Sequence, residues 1–316
     1  MRRIVLLPIF YFLFSSMYAQ NAITGSNPLL ADPTLFFNEG KYYLYGTVGR
    51  NADSGFKAYS SVDKIVWKEE GYVLRKGESY GSKGFWAPQL FTYEGKFYMA
   101  YTANEHIAIA SADSPLGPFT QKEHKPLAAP VRMIDPYIYF DPSGKIYLYH
   151  VRLQNGNRIF VAELAKDLSA IDTTTVQECI SASQPWEDTR NVPWKVTEGP
   201  TVIKHDGLYY MTYSANDFRN PDYAIGFATA TSVAGPWTKS NSNPIISRQH
   251  IGINGTGHGD ILIDTNGKML YVFHVHFSDT QVAPRKTAII ELQFKKNRSN
   301  VAELMAVPNT FKLLNE

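Results

Sequence analysis

Short apolar runs separated by polar turns recur along this chain from about residue 30 to its end. Five segments share one pattern: a small or acidic residue, proline, four or five mostly apolar residues, a polar turn ending in glycine, and an aromatic-rich run. These segments are 31–45, 86–101, 134–149, 196–213 and 257–273. Their anchor residues are Pro33, Pro88, Pro136, Pro200 and Gly259, which are 55, 48, 64 and 59 residues apart. A repeat of roughly 50 residues is typical of a toroid or solenoid of small sheets.

The runs between the turns match β-strands in length. Nearly all of them are bounded by Gly, Asn, Asp or Pro, which end strands and form turns. The first repeat predicts strands at 34–37, 42–47, 56–60 and 65–68. The outer parts of the units repeat as well, since residues 107–119 match residues 224–237 in a strand, a polar turn, Gly-Pro and an aromatic residue. Four strands in each of five units predict an all-β, five-bladed β-propeller with four-stranded blades around a central channel.

Two segments are longer than a blade requires. Residues 69–85 are rich in glycine, and residues 181–197 contain two Pro-Trp pairs. Long loops of this kind are more often functional than idle, and both lead into the same end of an innermost strand, so we expect both over one mouth of the ring. Trp186 and Trp194 in the second loop either line the outer part of a binding site or hold the loop in place. The last strands are expected at 287–294 and 311–314, and the sequence leaves open whether one of them closes the ring.

Residues 1–20 do not belong to the propeller. Arg2 and Arg3 precede an almost unbroken apolar run at 4–14, and Ala19 offers a small residue for cleavage. This pattern is typical of a secretory signal peptide and is too short for an ordinary membrane helix, with an uncleaved N-terminal anchor as the alternative. We therefore expect a secreted or periplasmic protein in which residues 21–316 form a single propeller domain.

Charge and cysteine content narrow the expected partners. The formal net charge is +2, and Arg2 and Arg3 account for it, so the chain without the signal peptide is neutral. A neutral chain has no general electrostatic reason to bind nucleic acid or an anionic membrane. Cys179 is the single cysteine, which excludes an intramolecular disulfide. The fold therefore depends on its hydrophobic core, and a 14% aromatic content suits buried positions in sheets and exposed positions that stack on sugars.

The repeats place two rings of residues around the predicted channel, because equivalent positions on the innermost strands lie at the same height. The residues directly before the anchors are Asp32, Ala87, Asp135, Gly199 and His258, and those one step earlier are Ala31, Trp86, Ile134, Glu198 and Gly257. Asp-Pro also occurs in ordinary turns, as at 141–142, away from the rings. Three carboxylates in register are harder to explain in that way, since a carboxylate at the start of an apolar strand is costly unless it is solvated, paired or used. The sequence therefore predicts a shared acidic site.

Three carboxyl groups around one pocket suit the hydrolysis of a glycosidic bond. One carboxylate acts as a base on water, one carboxylic acid donates a proton to the leaving oxygen, and a third negative charge keeps the pKa of that acid high. The sequence has no Gly-rich phosphate loop, no His/Cys metal cluster and no Gly-x-Ser-x-Gly elbow. Metal-assisted and acyl-transfer chemistry therefore have little support from its motifs.

The sequence resembles glycoside hydrolase family 43, the five-bladed propeller arabinofuranosidases, xylosidases and arabinanases. The resemblance covers most of residues 27–290 and depends on Ala31-Asp32-Pro33, Trp86-Ala87-Pro88, Ile134-Asp135-Pro136, Glu198-Gly199-Pro200 and the Gly-Pro-Phe/Trp ends of the blades. It implies that Asp32 is the general base, that Glu198 is the general acid, and that Asp135 modulates the pKa of the acid and orients the substrate. It also implies inversion of configuration, with base and acid roughly 6.5–9.5 Å apart.

The related invertase clan also has a propeller with three acids, but its enzymes retain configuration. Its acids lie in Asn-Asp-Pro, Arg-Asp-Pro and Glu-Cys contexts, whereas this chain has Ala-Asp-Pro, Ile-Asp-Pro and Glu-Gly. These differences favour the inverting family.

The resemblance adds Trp86, His258 and Arg285 as residues that bind the substrate. Trp86 forms a wall of the pocket or packs in the core of its blade. His258 contacts a calcium ion or its waters in the channel, lies near the substrate, or is a buried, hydrogen-bonded histidine. His274 and His276 face one side of a strand without an evident third ligand, which favours core or surface positions. No cofactor is expected for the chemistry, and a structural calcium ion is expected at most in the channel, with His258 as its ligand.

We therefore expect an inverting glycoside hydrolase that removes pentosyl residues from plant cell-wall polysaccharide such as arabinan or arabinoxylan. The first expectation for its activity is exo α-L-arabinofuranosidase, with β-xylosidase and endo-arabinanase as alternatives within the same fold. A non-catalytic sugar-binding propeller is the alternative from another class. The three acids speak against it, since lectin binding needs no pair of acid and base.

Overall fold

The computed structural model describes residues 25–49, 52–297 and 301–314, so the predicted signal peptide at 1–20 lies outside the described residues. The described residues form five antiparallel sheets arranged as a five-bladed β-propeller, which confirms the predicted fold class. The helical elements described are α1 (Arg248–Ile251) and two 3-10 turns at Thr173–Thr175 and Pro185–Glu187. None of the described helices is long and apolar enough to span a membrane.

The strands follow the repeats, and each blade is built from consecutive strands. The first blade contains β1 (Ala31–Asn38), β2 (Lys41–Thr47), β3 (Gly55–Ser61) and β4 (Lys68–Arg75), and the second contains β5 (Trp86–Tyr93), β6 (Lys96–Ala103) and β7 (His106–Ala112). The third contains β8 (Met133–Phe140), β9 (Ile146–Leu153), β10 (Asn157–Leu164) and β11 (Gln177–Ile180). The fourth contains β12 (Thr197–His205), β13 (Leu208–Ala215), β14 (Ala224–Ala230) and β15 (Thr238–Lys239), and the fifth contains β16 (Gly257–Ile263), β17 (Met269–Val275), β18 (Lys286–Lys296) and β19 (Ala302–Leu313).

Three details of the strand prediction are wrong, one of them the last strand, which is predicted at 311–314 and begins at Ala302 in β19. The fourth strand of the first blade begins at Lys68 instead of 65, because the Asp63 carboxylate accepts the backbone N–H groups of Ile65 and Val66 and holds that segment in a turn. The second sheet has three strands, and only an isolated bridge to Ser111 continues it. The segment that would supply a fourth strand, residues 113–132, contains four prolines. Since proline has no N–H to donate, such a segment cannot form a continuous ladder.

Aromatic side chains fill the space between neighbouring blades. Tyr45, Tyr101, Tyr149 and Tyr213 have no exposed surface, and each hydroxyl donates to an oxygen on another strand or loop. Burial of a large apolar side chain contributes roughly 1.5–3 kcal/mol, and the bonded hydroxyl avoids the cost of a buried unpaired polar group. The high aromatic content of the sequence is therefore largely used in packing blade against blade.

The ring closes without an exchange of strands between the described ends of the chain. β19 is the outer strand of the fifth blade, and β1 begins the first blade. The junction is held by Leu30, whose N–H donates to Thr287 Oγ1 at 3.1 Å and whose carbonyl accepts from the same hydroxyl at 3.0 Å. Apolar residues from both blades, including Leu35 and Val272, pack in one cluster there. This packing answers the question of closure that the sequence left open.

Candidate active site

All five innermost strands have the same irregularity at the same point. The residue before each anchor has a left-handed backbone: φ is 49° at Asp32, 47° at Ala87, 54° at Asp135, 60° at Gly199 and 43° at His258. The register of the inner pair shifts at each of these positions. A bulge of this kind re-aims a side chain, and a left-handed backbone is unfavourable for alanine, aspartate or histidine unless the surroundings fix it. The repeat therefore directs one residue per blade toward the central channel.

A side chain from the preceding blade fixes the backbone of most of these ring residues. The N–H of Ala87 donates to Thr47 at 3.1 Å, that of Asp135 to Thr102 at 2.9 Å, that of His258 to Ser214 at 2.7 Å and that of Asp32 to His274 Nδ1 at 3.1 Å. In the strand register, the four accepting residues occupy equivalent positions at the end of the second strand of their blades. The ring is thus held together from blade to blade.

The third blade departs from this rule. Its residue at the equivalent position is Val151, which pairs with Ile134 and has no polar side-chain atom. The N–H of the next ring residue, Gly199, donates instead to Asp135 Oδ2 at 3.3 Å. Glycine is required at 199 because a Cβ there would lie 2.9 Å from the His258 ring. This exception links the Asp135 carboxylate directly to the strand that carries Glu198.

Asp32 lies among groups that favour its ionised form. Thr47 Oγ1 donates to Asp32 Oδ2 at 2.6 Å, and Arg285 Nη1 donates to Oδ1 at 3.1 Å. Burial by itself would raise the pKa of Asp32, but Arg285, together with His258 and His274, outweighs burial and holds that pKa well below its ordinary value. The side chain is therefore a carboxylate at neutral pH, as a base on water must be.

Glu198 lies in the opposite environment. Burial raises the pKa of Glu198 to about 7, although its hydrogen bonds with Tyr223 and Asn157 lower it. Tyr223 Oη donates to Glu198 Oε1 at 2.8 Å, and Asn157 Nδ2 donates to Oε2 at 2.9 Å. The charge of Asp32 adds to the increase. A carboxyl group with this pKa is protonated below pH 7 and about half protonated at pH 7, so it can donate a proton in this range.

Asp135 and His258 lie between these two groups. Burial, with the charges of Glu198 and Asp32, raises the pKa of Asp135 well above its ordinary value. His258 Nδ1 is 3.6 Å from Asp32 Oδ1 and 3.8 Å from Asp135 Oδ2, and burial lowers the pKa of this imidazole. Because Asp135 and Glu198 each disfavour the other's ionisation, they do not both lose their protons readily. The pair therefore holds one proton more readily than it loses both, and the ionised form of either group favours the protonated form of the other.

These groups open into one cavity of about 540 Å³ at the mouth of the channel. The residues that line it include Asp32, Asp135, Glu198, Trp86, Asn157, Trp194, Phe218, His258 and Arg285. The Arg285 guanidinium lies 4.7 Å from the centre of the Phe218 ring, so one face of that ring fixes the arginine that pairs with Asp32. All six residues expected at the site from the sequence thus line the same cavity.

The family model described as Glycosyl hydrolases family 43 matches residues 23–298. The chain belongs to this family. The match covers every innermost strand and therefore all of the residues that line the cavity.

Relatives within family 43 differ in the activities that their names state. The crystal structure of an endo-1,4-beta-xylanase from Bacteroides thetaiotaomicron is 38% identical, with a TM-score of 0.82 over 92% of this chain and 97% of that chain. An extracellular exo-alpha-(1->5)-L-arabinofuranosidase from Streptomyces avermitilis is 27% identical over 81% of this chain, which spans 57% of the length of that relative. A beta-xylosidase from Xylanibacter ruminicola is 26% identical over 78% of this chain and 86% of its own length.

Five residues whose side chains contact the carboxyl groups of the acids or support Arg285 were not among those proposed for the site from the sequence. They are Thr47, Asn157, Phe218, Tyr223 and His274. Thr47 and His274 could have been found from the sequence, because both follow the aromatic-rich run at the same position of the repeat. The other three lie in segments that the repeat does not relate to one another, so no pattern marks them.

The two long loops differ in what they contribute. In the 181–197 loop, the completely buried Glu187 accepts from the backbone N–H groups of Ser183 and Gln184 and from Lys239 Nζ, which fixes the loop on the fourth blade. Trp186 packs against Tyr213, so it holds the loop in place. The predicted 69–85 loop is shorter than expected, because its first part belongs to β4, which ends at Arg75. The last turn of the remaining segment, at Gly84, packs against Trp86, which lines the cavity and is not enclosed in the core of its blade.

The predicted channel calcium finds a poor fit in the described residues. They contain no group of three or more His, Cys, Asp or Glu side chains arranged to hold a metal ion. The channel cavity beneath the ring, of about 20 Å³, has room for a single water-sized particle, and both Asp32 oxygens and Asp135 Oδ2 already have protein partners. Calcium prefers six to eight oxygen ligands. We derive no catalytic step through a metal, and calcium with His258 as ligand stays a prediction that metal analysis of the purified protein would test.

Proposed function

We propose that this chain is an inverting glycoside hydrolase that removes pentosyl residues from plant cell-wall polysaccharide. One observation carries the proposal: two carboxyl groups of a single cavity, Asp32 and Glu198, have pKa values displaced in opposite directions. Such a pair provides one ionised base and one protonated acid at the same pH. A sugar-binding protein without catalysis has no need of that difference.

The proposed reaction is a single displacement at the anomeric carbon. Glu198 donates its proton to the glycosidic oxygen as the bond between that oxygen and the anomeric carbon breaks. A water molecule on the other face of the sugar forms the new bond to the same carbon and gives its proton to Asp32. The product has inverted configuration, and proton exchange with solvent restores both carboxyl groups.

Exo action on α-L-arabinofuranosyl groups is the first assignment of substrate and mode. Loops wall the cavity with Trp86 on one blade and Trp194 and Phe218 on others, which suits a terminal sugar held in a pocket. The name of the Streptomyces relative states this activity and an extracellular location. That name also supports secretion, which the apolar run at 4–14 predicts. Arg285 and His258, beside the base, are proposed to contact the sugar hydroxyl groups.

One observation favours an enzyme that cuts within a chain. Two further cavities share lining residues with the main one: a cavity of about 320 Å³ shares Trp86, and one of about 350 Å³ shares Asp217 and Arg219. A series of cavities along the mouth of the channel can accommodate sugars on both sides of the acids. The structure with 38% identity is named as an endo-1,4-beta-xylanase. Endo action on xylan or arabinan is therefore the second candidate, and β-xylosidase the third.

Hydrolysis assays on matched substrates separate these candidates. We would compare aryl α-L-arabinofuranoside, aryl β-D-xyloside and aryl β-D-galactoside with linear arabinan and xylan, using the Glu198→Gln protein as the blank. Release from one aryl glycoside establishes an exo-enzyme and its sugar, and cleavage of a polysaccharide alone establishes endo action. Proton NMR of the first anomer formed tests inversion. Binding of arabinan or xylan without any turnover contradicts the enzyme proposal and supports a sugar-binding propeller.

A further inference from the structure

Trp194 differs from the other tryptophans near the site because its ring is open to solvent. Nearly half of its surface, 48%, is exposed, although it lines the main cavity. The loop beneath it is fixed by Glu187, and Trp186 of the same loop is half-buried against Tyr213. An exposed indole on a fixed support has little conformational freedom left for binding to remove. Its flat face suits the C–H face of a sugar.

The indole of Trp194 is tied to the acid through one amide. Trp194 Nε1 donates to Asn157 Oδ1 at 2.9 Å, and Asn157 Nδ2 donates to Glu198 Oε2 at 2.9 Å. Because an indole N–H only donates, the first bond fixes the orientation of the amide, and its NH₂ group must face the acid. The backbone supports the same unit, since Asn157 N–H donates to Lys195 O at 2.8 Å.

The position of this unit identifies the part of the substrate that it contacts. The acid protonates the oxygen that leaves with the departing part of the polysaccharide. Trp194 is linked to Glu198 through the single amide of Asn157. Trp194 therefore lies on the leaving-group side of the glycosidic bond that is cleaved. The opposite group, Asp32, is surrounded by Arg285, His258 and His274, and this side holds the sugar whose anomeric carbon reacts.

We propose that Trp194 forms the leaving-group subsite, stacking on the next sugar unit of the chain, and that Asn157 transmits its position to Glu198. Asn157 is a positioning residue in this arrangement, and Trp194 contacts the substrate. The ligand class is a pentose or hexose ring joined through the scissile oxygen. This inference rests on the proposed function for its chemistry, but the binding part is measurable without turnover.

Binding is tested in the Asp32→Asn background, which keeps Glu198, Asn157 and Trp194 and is not expected to hydrolyse the probe. We expect Trp194→Ala to raise the Kd of α-1,5-L-arabinotriose or β-1,4-xylotriose about tenfold by calorimetry, since aromatic stacking of roughly 1.4 kcal/mol corresponds to that factor. The Kd of L-arabinose or D-xylose, which fill only the inner site, should change less than about twofold. Equal trisaccharide Kd values with and without Trp194 would overturn the subsite, whereas trisaccharide binding without any hydrolysis by the unmodified enzyme would contradict only the proposed function.

The link to the acid is tested separately with Trp194→Phe, which keeps an aromatic face and removes the N–H. Its trisaccharide Kd should rise less than that of Trp194→Ala. The alkaline limb of kcat/KM against pH should move to higher pH, because the released amide no longer lowers the pKa of Glu198. Trp186→Phe is the matched control in the same loop and should lower Tm without moving that limb. A limb that stays in place in Trp194→Phe, or moves as far in Trp186→Phe, would overturn the positioning role.

Discussion

Asp32 and Glu198 occupy almost the same place in two copies of one repeat, yet they are surrounded by different groups. Around Asp32, on the side of the first and fifth blades, stand Arg285 and two imidazoles. Around Glu198, on the side of the third and fourth blades, stand a neutral hydroxyl and a neutral amide, with the carboxyl group of Asp135 nearby. The repeat determines where the acids lie, and residues outside the repeated positions determine which acid is ionised.

The comparison also shows how the two halves are coupled. His258 lies within 3.8 Å of both Asp32 and Asp135, and Asp135 is bonded to the backbone beside Glu198. The charge of Asp32 raises the pKa of both other acids. An ionised base thus favours a protonated acid, so the two halves support each other's required state. We call Asp32 with its neighbours the Asp32 half, and Glu198 with its neighbours, including Asp135, the Glu198 half. Substitutions that remove a neighbour should shift the pKa of the acid in that half more than the pKa of the acid in the other half.

The largest effects are expected from Asp32→Asn and Glu198→Gln. Each change removes a proton acceptor or donor and should lower kcat by roughly two to four powers of ten, as is usual for a positioned base or acid. Asp260→Asn is the matched control, because Asp260 is a deeply placed channel carboxyl bonded to Thr34 that does not line the main cavity. Steady-state rates on the best aryl glycoside would measure this. Activity within tenfold of the unmodified enzyme in either catalytic variant would refute its assigned role.

Arg285→Gln should act mainly on Asp32, whose carboxylate it contacts directly, and only indirectly on Glu198 through Asp135. The arginine holds the pKa of Asp32 well below its ordinary value of 3.8, so without it that pKa rises. The acidic limb of kcat/KM against pH, which reports the ionisation of the base, should move upward by about one to three units. The alkaline limb should move little by comparison. Arg248→Gln, whose partner Asp222 is not among the groups that shift the pKa of Asp32, is the control. An acidic limb that is the same in both variants would contradict the pairing of Arg285 with Asp32.

Two changes in the Glu198 half should move the alkaline limb in opposite directions. The activity needs Glu198 in its protonated form. The activity is therefore present below the Glu198 pKa of about 7 and is lost above it. Tyr223→Phe removes a hydrogen bond that lowers this pKa, and the limb should move to higher pH. Asp135→Asn removes a group that raises the pKa of Glu198 whenever it is ionised, and the limb should move to lower pH. Tyr213→Phe, which loses a bond to Glu187, is the control and should change only Tm. Shifts of the same sign would disprove this account of the site.

The sequence predicts those parts of the fold and the site that the repeat encodes. The Asp-Pro and Glu-Gly-Pro copies place three acids in register, and the turn residues mark most strand ends. The neighbours that set the pKa values are remote in sequence: Asn157 lies 41 residues from Glu198, Tyr223 lies 25 from it, and His274 lies 242 from Asp32. Asn157 ends a Gln-Asn-Gly turn that reads as an ordinary hairpin. Only the closed ring brings these side chains together, so their identity depends on tertiary structure.

The smallest effect is expected at Val151, the third-blade residue that has no polar side chain to accept the N–H of Gly199. Threonine is nearly the same shape and would restore the polar group that the other blades have at this position. Its hydroxyl would compete with Asp135 for the N–H of Gly199, and an Asp135 carboxylate without that bond is harder to ionise. With Asp135 more often protonated, the pKa of Glu198 should fall, and the alkaline limb should move to lower pH by a few tenths of a unit, on the order of half a kcal/mol.

A stability cost must be separated from that shift, because Val151 has no exposed surface. Val161→Thr provides the comparison, since Val161 is 1% exposed, packs in the same cluster and contacts none of the acids. Both variants should lose a similar amount of Tm, as expected for a buried hydroxyl that replaces a methyl group. Only Val151→Thr should move the alkaline limb. If the two pH profiles coincide, the missing polar group in the third blade does not affect the pKa of Glu198, and the bond from Gly199 to Asp135 has only a structural role in the ring.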